Sequence, residues 1–383
     1  MVNALRPRDT VNVELEASLS LPGGGAFDNF TTLEVVNNIT GPSEASFESG
    51  DDISWAAIGD VFAIGTKMKV FVNDRLRITG RVELNNAPFD PHAGAVIRFA
   101  VRTKLADAFV AGANPSTAVQ NVSIKDFIVK LYEPMGYVAA DFVFDPRTYR
   151  NLMTGLAKHT SEVPVDLEPI KLPEARVTPP ETIYAAADRH LRRHGLMHWD
   201  MPDGRIMVGA PNDTQDPTYT FNAFRSYPSA EINNILGASR TRDWSGIPGR
   251  LTVFGVGGKR DFTKTRVSDT ASDDDVLAAG FYRPVQIVAE GIRSKALALS
   301  AAQRELSARS KRKDGYQINL DGLSHWVDGK QVQYSPDTVA LIHSDVAGGT
   351  SDPYYVQSVV LTRSAAEGDT TQMDLVKRGI WRL

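Results

Sequence analysis

Apolar and polar residues alternate along KMKVFVNDRLRITGRVELN, residues 67–85, on both sides of a polar pair. The apolar positions of the two runs are Met68, Val70, Val72, Leu76, Ile78 and Val82. A period of two is typical of a strand with one buried face, and Asn73–Asp74 between the runs is typical of a tight turn. The segment therefore predicts a β-hairpin.

The same alternation recurs elsewhere in the first third of the chain. AVIRFAVRT near residue 100 predicts another strand, and NVELEASLSLP has apolar residues at Val13, Leu15, Ala17, Leu19 and Leu21. Short alternating runs broken by glycine and asparagine indicate antiparallel strands with tight connections. We expect a first β-barrel-like domain over residues 1–108.

Helix signals appear in the middle of the chain. Ser123 followed by Asp126 predicts a helix N-terminus, and Pro134 with Gly136 predicts its end. A second capping box, Thr178 and Glu181 with Pro179 at the first helical position, predicts a helix that ends at Gly195. LMHWD and RIMVG then flank the turn sequence MPDG and predict a hairpin that places His198 on a strand. These elements predict an α/β middle region over residues 109–215.

The last part of the chain returns to strand patterns and contains one helix. Strands are predicted in RLTVFGVGG, PVQIVAE, YQINLDGL, DTVALIHS, YYVQSVVLTR and TQMDLVKRG. Between them, an apolar stripe predicts a helix near residues 290–312, with inward positions Ile292, Ala296, Leu299, Ala302 and Leu306. TRVSDTASDDDVLAAG is interpreted as a loop. We expect a second β-barrel-like domain over residues 216–383 that carries this inserted helix, and a mixed, β-rich fold overall.

Composition narrows the function classes. The net charge is −4 over 383 residues, without the basic excess of nucleic-acid-binding proteins. Zero cysteines exclude disulfides, thiolate zinc sites and cysteine nucleophiles within this sequence. The N-terminus lacks a signal-peptide profile, and no run approaches the ~18 apolar residues of a membrane span. We expect a soluble protein, made in the cytoplasm and not inserted in a membrane.

Three of the seven histidines, His190, His194 and His198, are spaced four residues apart and form the strongest candidate for a metal site. Two imidazoles at helical spacing can share a metal ion, and Asp188 or Asp200 would complete a metal-dependent hydrolase. However, Leu-Arg-Arg separates His190 from His194, so the glutamate base of an HExxH helix is missing and cations lie close by. We therefore predict no catalytic residue, no cofactor and no metal site, and keep the hydrolase as an alternative. A carbohydrate-binding β module is the other alternative.

The order of segments resembles one protein family. Residues 44–84, residues 100–113, PPETIYAAADRHLRRHGLMHWDMPDGRIMV at 179–208, and residues 283–342 follow one another as in the baseplate hub proteins of Mu-like phage tails. The last of these segments contains a strand, a basic helix, a strand ending in glycine and the aromatic-x-Pro-Asp turn YSPD. The resemblance spans nearly the whole chain through weak motifs in a fixed order.

The resemblance implies a structural protein of the virion tail. Hub proteins of this family are trimers with two barrel-like tube domains per chain, which form a ring of pseudo-six-fold symmetry. Such a ring joins the tail tube, or a distal tail protein, to a central spike, and contacts other baseplate proteins. DNA would only pass through its lumen. The resemblance implies no catalytic residues.

Overall fold

The structure is a computed structural model. It describes residues 9–15, 31–49, 62–86, 89–90, 94–154, 170–192, 194–225, 233–256, 267–290, 292, 294–327, 330–345, 350–364 and 368–378. The positions Ala17, Leu19 and Leu21 lie outside the described residues. Strands of the first third are β1 Val11–Leu15, β2 Thr32–Asn38, β3 Glu44–Ser49, β4 Lys67–Val72, β5 Arg75–Asn86, β6 Phe89–Asp90, β7 Gly94–Ala95 and β8 Ile97–Arg102.

The middle of the chain mixes helices and short strands. Its elements are α1 Ala106–Val110, β9 Ala118–Ser123, α2 Ile124–Tyr132, β10 Phe142–Val143, α3 Pro146–Thr154, β11 Lys171–Arg176, α4 Ile183–Arg192, β12 Met197–Asp200 and β13 Ile206–Gly209. Short 3-10 helices cover Glu133–Met135 and Ala139–Asp141. These elements enclose their own buried cluster, which includes Phe127, Ile128 and Leu191.

The C-terminal part is again mainly β. Its elements are β14 Tyr219–Ala223, β15 Ile235–Thr241, β16 Arg250–Val256, β17 Val267–Ser272, α5 Asp274–Ala278, β18 Pro284–Glu290, α6 Lys295–Arg309, β19 Gly315–Asp321, β20 Ser324–Val327, β21 Lys330–Gln333, β22 Thr338–Ser344, β23 Thr350–Ser364 and β24 Gly368–Lys377. A 3-10 helix at Ser310–Lys313 follows α6. In this region β16, β17, β18 and α6 lie between β15 and β19 in sequence.

One twelve-stranded sheet joins the two ends of the chain. Its order is β1-β4-β5-β8-β3-β2-β23-β24-β19-β15, and β22 with β14 branches from β23. The junction is the antiparallel pair β2 and β23, which runs from Thr32↔Ser364 to Asn38↔Ser358. Among the described strands the path is open, with β1 at one end and β15 at the other. The mixed, β-rich fold is thus confirmed, while the division into two barrel-like domains stays a prediction.

The hairpin expected at residues 67–85 is confirmed. β4 and β5 pair antiparallel, and Met68, Val70 and Val72 are buried on one face. Asn73 and Asp74 both have positive φ, 51° and 58°, the backbone of the tight turn that matches strand twist. Asn73 also accepts a hydrogen bond from the Thr10 backbone N–H at 2.8 Å, which fastens the turn to the chain before β1.

The first helix signal of the middle region is confirmed and the second needs correction. The Ser123 hydroxyl accepts from the Asp126 N–H at 3.0 Å and caps α2. The second helix begins at Ile183 rather than at Pro179, with Thr182 accepting from the Ala185 N–H at 3.2 Å. Glu181 does accept from the Thr178 N–H, but a proline at position 180 excludes its predecessor from the α region, so the helix starts later.

Two further predictions need correction, and both concern the unit of β16, β17, β18 and α6. The segment interpreted as a loop is strand β17 followed by helix α5, because Asp273 caps that helix by accepting from the Val276 N–H. Helix α6 is confirmed, but its buried stripe is Ala298, Ala302 and Leu306. Ala296 is exposed, because apolar residues occur on several faces of this alanine-rich helix and periodicity alone does not select one.

No helix in the described ranges is long and apolar enough to cross a membrane.

Candidate functional site

The three histidines of the hydrolase alternative lie in different surroundings. His190, on α4, packs edge-on against Phe127, and its Nε2 lies 3.4 Å from the Arg176 carbonyl oxygen. His194 lies in the turn after α4, where its backbone N–H donates to the Leu191 carbonyl at 2.9 Å. In the part of the chain that the structure describes, no three histidine, aspartate or glutamate side chains come together as metal ligands. The geometry gives the hydrolase alternative no support there.

His198 is fully buried on β12 and forms a neutral hydrogen bond. Its Nε2 lies 2.7 Å from the Tyr132 hydroxyl, and its ring packs against Tyr184. Burial, with a smaller contribution from the Arg192 charge, lowers the pKa of His198 to about 3. Burial also raises the pKa of the Tyr132 hydroxyl well above its ordinary value. Both groups are neutral near pH 7, and their hydrogen bond joins α2 to β12.

The two aspartates named with the histidines are already engaged. Asp188 pairs with Arg192 one turn along α4, at 2.7 Å. Asp200 is buried at the end of β12, where it accepts from the Ser43 N–H at 2.8 Å and from the Thr103 hydroxyl at 2.7 Å. Burial raises the pKa of Asp200 to about 7, although both hydrogen bonds act in the opposite direction. Asp200 therefore fastens the middle region to residues beside β3 and β8.

Arg150 and Asp337 form a second connection between the middle region and the large sheet. The guanidinium lies 2.6 Å from the carboxylate, and neither side chain is exposed. The Arg150 Nε–H also donates to the Asp337 carbonyl at 2.9 Å, and the Tyr355 hydroxyl donates to the carboxylate at 2.7 Å. An apolar cluster that includes Met153, Trp199, Met207 and Tyr355 surrounds this junction. The middle region is thus held on the sheet by a buried polar and apolar contact.

Sequence reasoning did not identify these connections. Arg150 and Asp337 are 187 positions apart, and Ser43 and Asp200 are 157 apart. One local signal existed, because Asp337 closes the YSPD turn and has a positive φ of 58°. A turn motif indicates backbone geometry, however, and does not identify the distant arginine that reaches it.

Two exposed aromatic rings bear on the carbohydrate-binding alternative. Phe281 and Tyr282 precede β18 and are exposed. The Arg283 guanidinium lies 4.5 Å from the centre of the Phe281 ring, and that of Arg250 lies 5.6 Å from the Tyr282 ring. Each ring therefore already has a cation over one face.

The β1 and β15 edges of the large sheet are candidate interaction surfaces. β1 pairs with β4 and β15 pairs with β19, and no second partner strand occurs for either within the described ranges. Leu236 on β15 is 64% exposed. Unpaired strand edges readily add a strand from another chain.

Two solved structures are similar to the chain over nearly its entire length. The tail protein from Neisseria meningitidis MC58 has a TM-score of 0.73 at 16% identity, covering 98% of both chains. The 43 kDa tail protein of prophage MuSo2 from Shewanella oneidensis has a TM-score of 0.72 at 14% identity, covering 97% of this chain and 99% of the other. The chain has the fold of Mu-like prophage tail proteins. The resemblance inferred from segment order is confirmed at the level of the fold.

A more distant similarity extends to secretion machinery. The c3393 protein of E. coli is a type VI secretion component with structural similarity to the phage T4 tail proteins gp27 and gp5. It has a TM-score of 0.54 at 11% identity, over 95% of this chain and 76% of that protein. No protein-family model matches the sequence, and no curated protein sequence matches it either. The relationship is thus carried by the fold.

Proposed function

We propose that this protein is the baseplate hub of a phage tail. Three copies form a closed ring in which two β-rich parts of each chain alternate around the axis. The ring joins the tail tube, or a distal tail protein, to a separate central spike, and contacts other baseplate proteins. DNA passes through its lumen during delivery, and the protein is part of the virion.

The observation that carries this proposal is the full-length similarity to two tail proteins, 98% of both chains in one case. The similarity extends over nearly the whole of both proteins, which supports a shared role in a tail. The candidate catalytic residues are occupied by internal contacts instead: His198 by Tyr132, Asp188 by Arg192, and Asp200 by Ser43 and Thr103. This supports a structural rather than an enzymatic role.

The open ends of the large sheet support a ring of several copies. Edge strands are prone to uncontrolled association unless they are covered or paired. If β15 of one protomer lies beside β1 of the next, a cyclic trimer covers the β1 and β15 edges in every copy, because a head-to-tail contact repeated around an axis closes on itself. The net charge of −4 is consistent with a lumen that lets DNA pass without holding it.

The test is the mass of the purified full-length protein by light scattering after size exclusion. Three copies of the 41.8-kDa chain give a mass of about 125 kDa, which we expect over a range of protein concentrations. A mass of one or two copies that persists at high concentration would refute the trimer. Concentration must be varied, because assembly shifts with mass action.

A further inference from the structure

A cleft lies between the middle region and the unit of β16, β17, β18 and α6. Its volume is about 300 Å³, at the lower end of the range for ligand-binding pockets. Leu196, Met197 and Pro211 line it from the middle region, and Val253, Ile287 and Ala301 line it from the other side. The cleft is therefore largely apolar and is bordered by two parts of the chain.

Most charged side chains at the cleft have partners within the protein. Arg189 pairs with Glu181 at 2.6 Å. Arg192 pairs with Asp188 at 2.7 Å. Glu305 pairs with Arg309 at 2.9 Å along α6. The charge of each of these three side chains is therefore balanced by its partner.

Arg304 is different, because its positive charge is not compensated. It lines the cleft from α6, it is partly buried, and no described residue forms an ion pair or hydrogen bond with it. Its Nε is buried without a hydrogen-bond partner. Burial lowers the pKa of the guanidinium from its ordinary value, and no carboxylate of the described residues raises it again. A carboxylate ligand stabilises a guanidinium in such a place, because it compensates the charge and accepts two hydrogen bonds in bidentate geometry.

One wall of the cleft is a strand with an open edge. Ile287, Val288 and Ala289 of β18 line it. β18 pairs with β16 on one side, and among the described strands none pairs with its other side. Val288 is 69% exposed. An extended peptide can hydrogen-bond to such an edge while its side chains enter an adjacent pocket.

We propose that this cleft is a docking site for an extended segment of a partner protein that is apolar apart from one carboxylate. The carboxylate binds Arg304, the apolar side chains occupy the cleft, and the segment's backbone pairs with β18. The unpaired edge favours a peptide over a small free anion, because only a peptide offers matching backbone groups. This inference rests on the proposed function, for which it names a partner-binding surface.

The test uses a library of random heptapeptides, acetylated and amidated so that termini contribute no charge. Peptides from this library are selected for binding to the full-length wild-type protein. We expect selected peptides to share one aspartate or glutamate flanked by apolar residues. Arg304→Gln should weaken binding of the consensus peptide at least about tenfold, because it removes a charge-assisted hydrogen bond. Lys295→Gln, which removes an exposed charge from the same helix, should leave binding unchanged.

A charge reversal tests the contact independently of folding. Arg304→Glu should reject the acidic consensus peptide and bind the same peptide with lysine in place of the acid. Selection of no peptide, of peptides without an acid, or of peptides that bind Arg304→Gln as tightly as wild type would overturn the proposal. Light scattering on the same preparations distinguishes failure of the docking site from failure of the hub proposal. If the protein is a trimer but binds no such peptide, only the docking site is refuted.

Discussion

Arg150 and Asp337 show how strongly one pair of residues can hold two regions of this protein together. Neither side chain is exposed, and their atoms lie 2.6 Å apart. Removing one partner of a buried pair leaves the other charge without compensation in a medium of low polarity. The pair thus stabilises the junction mainly because separating its members would leave two buried charges without compensation.

We predict that Arg150→Met lowers the free energy of unfolding by about 3–5 kcal/mol, as measured by denaturant titration. The matched control is Arg98→Met, which breaks a pair with Glu48 in which the arginine is 54% exposed. That change should cost less than about 1 kcal/mol. Equal small losses for both variants would show that the buried pair is not a structural connection.

Asp200 predicts a specific pH dependence. Its pKa is about 7 in the folded protein and about 3.9 in an unfolded chain, so the folded state binds the extra proton between these values. Its contribution to stability is therefore present below about pH 4 and is lost as the pH rises to about 7. Asp200→Asn keeps an oxygen to accept from Ser43 and Thr103 but has no proton to lose. Relative to wild type, this variant should gain up to about 1.4 kcal/mol per pH unit across that window.

At each pH, the free energy of unfolding of Asp200→Asn must be compared with that of the wild type. His198 lies on the same strand, and its lowered pKa of about 3 has the opposite effect. Its contribution is present above about pH 6.5 and is lost as the pH falls towards 3. Urea titrations of both proteins at several pH values cancel that background. A constant difference from pH 4 to pH 7 would show that Asp200 is ionised throughout.

Individual elements were predictable where their signals are local. The hairpin of β4 and β5 follows from a period of two around Asn73–Asp74, and α2 follows from the Ser123 cap. The predicted start of α4 was wrong because Pro180 disfavours the helical conformation at Pro179, and this effect outweighs the capping box of Thr178 and Glu181. The buried face of α6 depends on which side β16 and β17 cover, and this is information from another part of the chain.

The candidate site was harder to predict than the elements. The environments of His198 and Asp200 are set by Tyr132, Ser43 and Thr103, which come from distant segments. In the sequence, Arg304 is one of several basic residues on or just after α6, and nothing local distinguishes it from Arg309 or Lys313. The structure places it at a cleft beside Val253 and Ile287, where its buried Nε has no hydrogen-bond partner among the described residues. Spacing along the chain carries none of this information.

The open edge of β15 leads to a prediction at the level of one strand. Leu236→Lys places a charge on an exposed position, 64% accessible, so the single chain should fold normally. In the ring that we propose, the same charge would lie against the neighbouring protomer, and the trimer should dissociate at concentrations where wild type stays assembled. Val138→Lys is the matched control, because Val138 is 59% exposed but belongs to the middle region.

Analytical ultracentrifugation distinguishes the outcomes of this pair of variants. The account expects monomers for Leu236→Lys and trimers for Val138→Lys, with the same circular dichroism spectrum for both. A trimer of unchanged strength in Leu236→Lys would mean that β15 does not lie in the interface. Loss of the trimer in both variants would mean that the contact lies elsewhere or that assembly is weak in general.

The whole molecule is organised around one sheet that takes strands from both ends of the chain. β2 and β23 pair at its centre, while β1 and β15 lie at its two ends. The middle region is attached to this sheet through Arg150 and Asp337, and β16, β17, β18 and α6 lie between β15 and β19 of the sheet in sequence. The ring that we propose would continue this sheet from one protomer to the next.

Electron microscopy of the size-exclusion peak of the full-length protein shows whether the protein forms the ring that we propose. We expect closed rings with three-fold symmetry, a central channel and six similar lobes. Single particles without a channel, or open chains of variable length, would contradict it. In that case the shared fold would remain, but this protein would not be the ring that connects a tail tube to its spike.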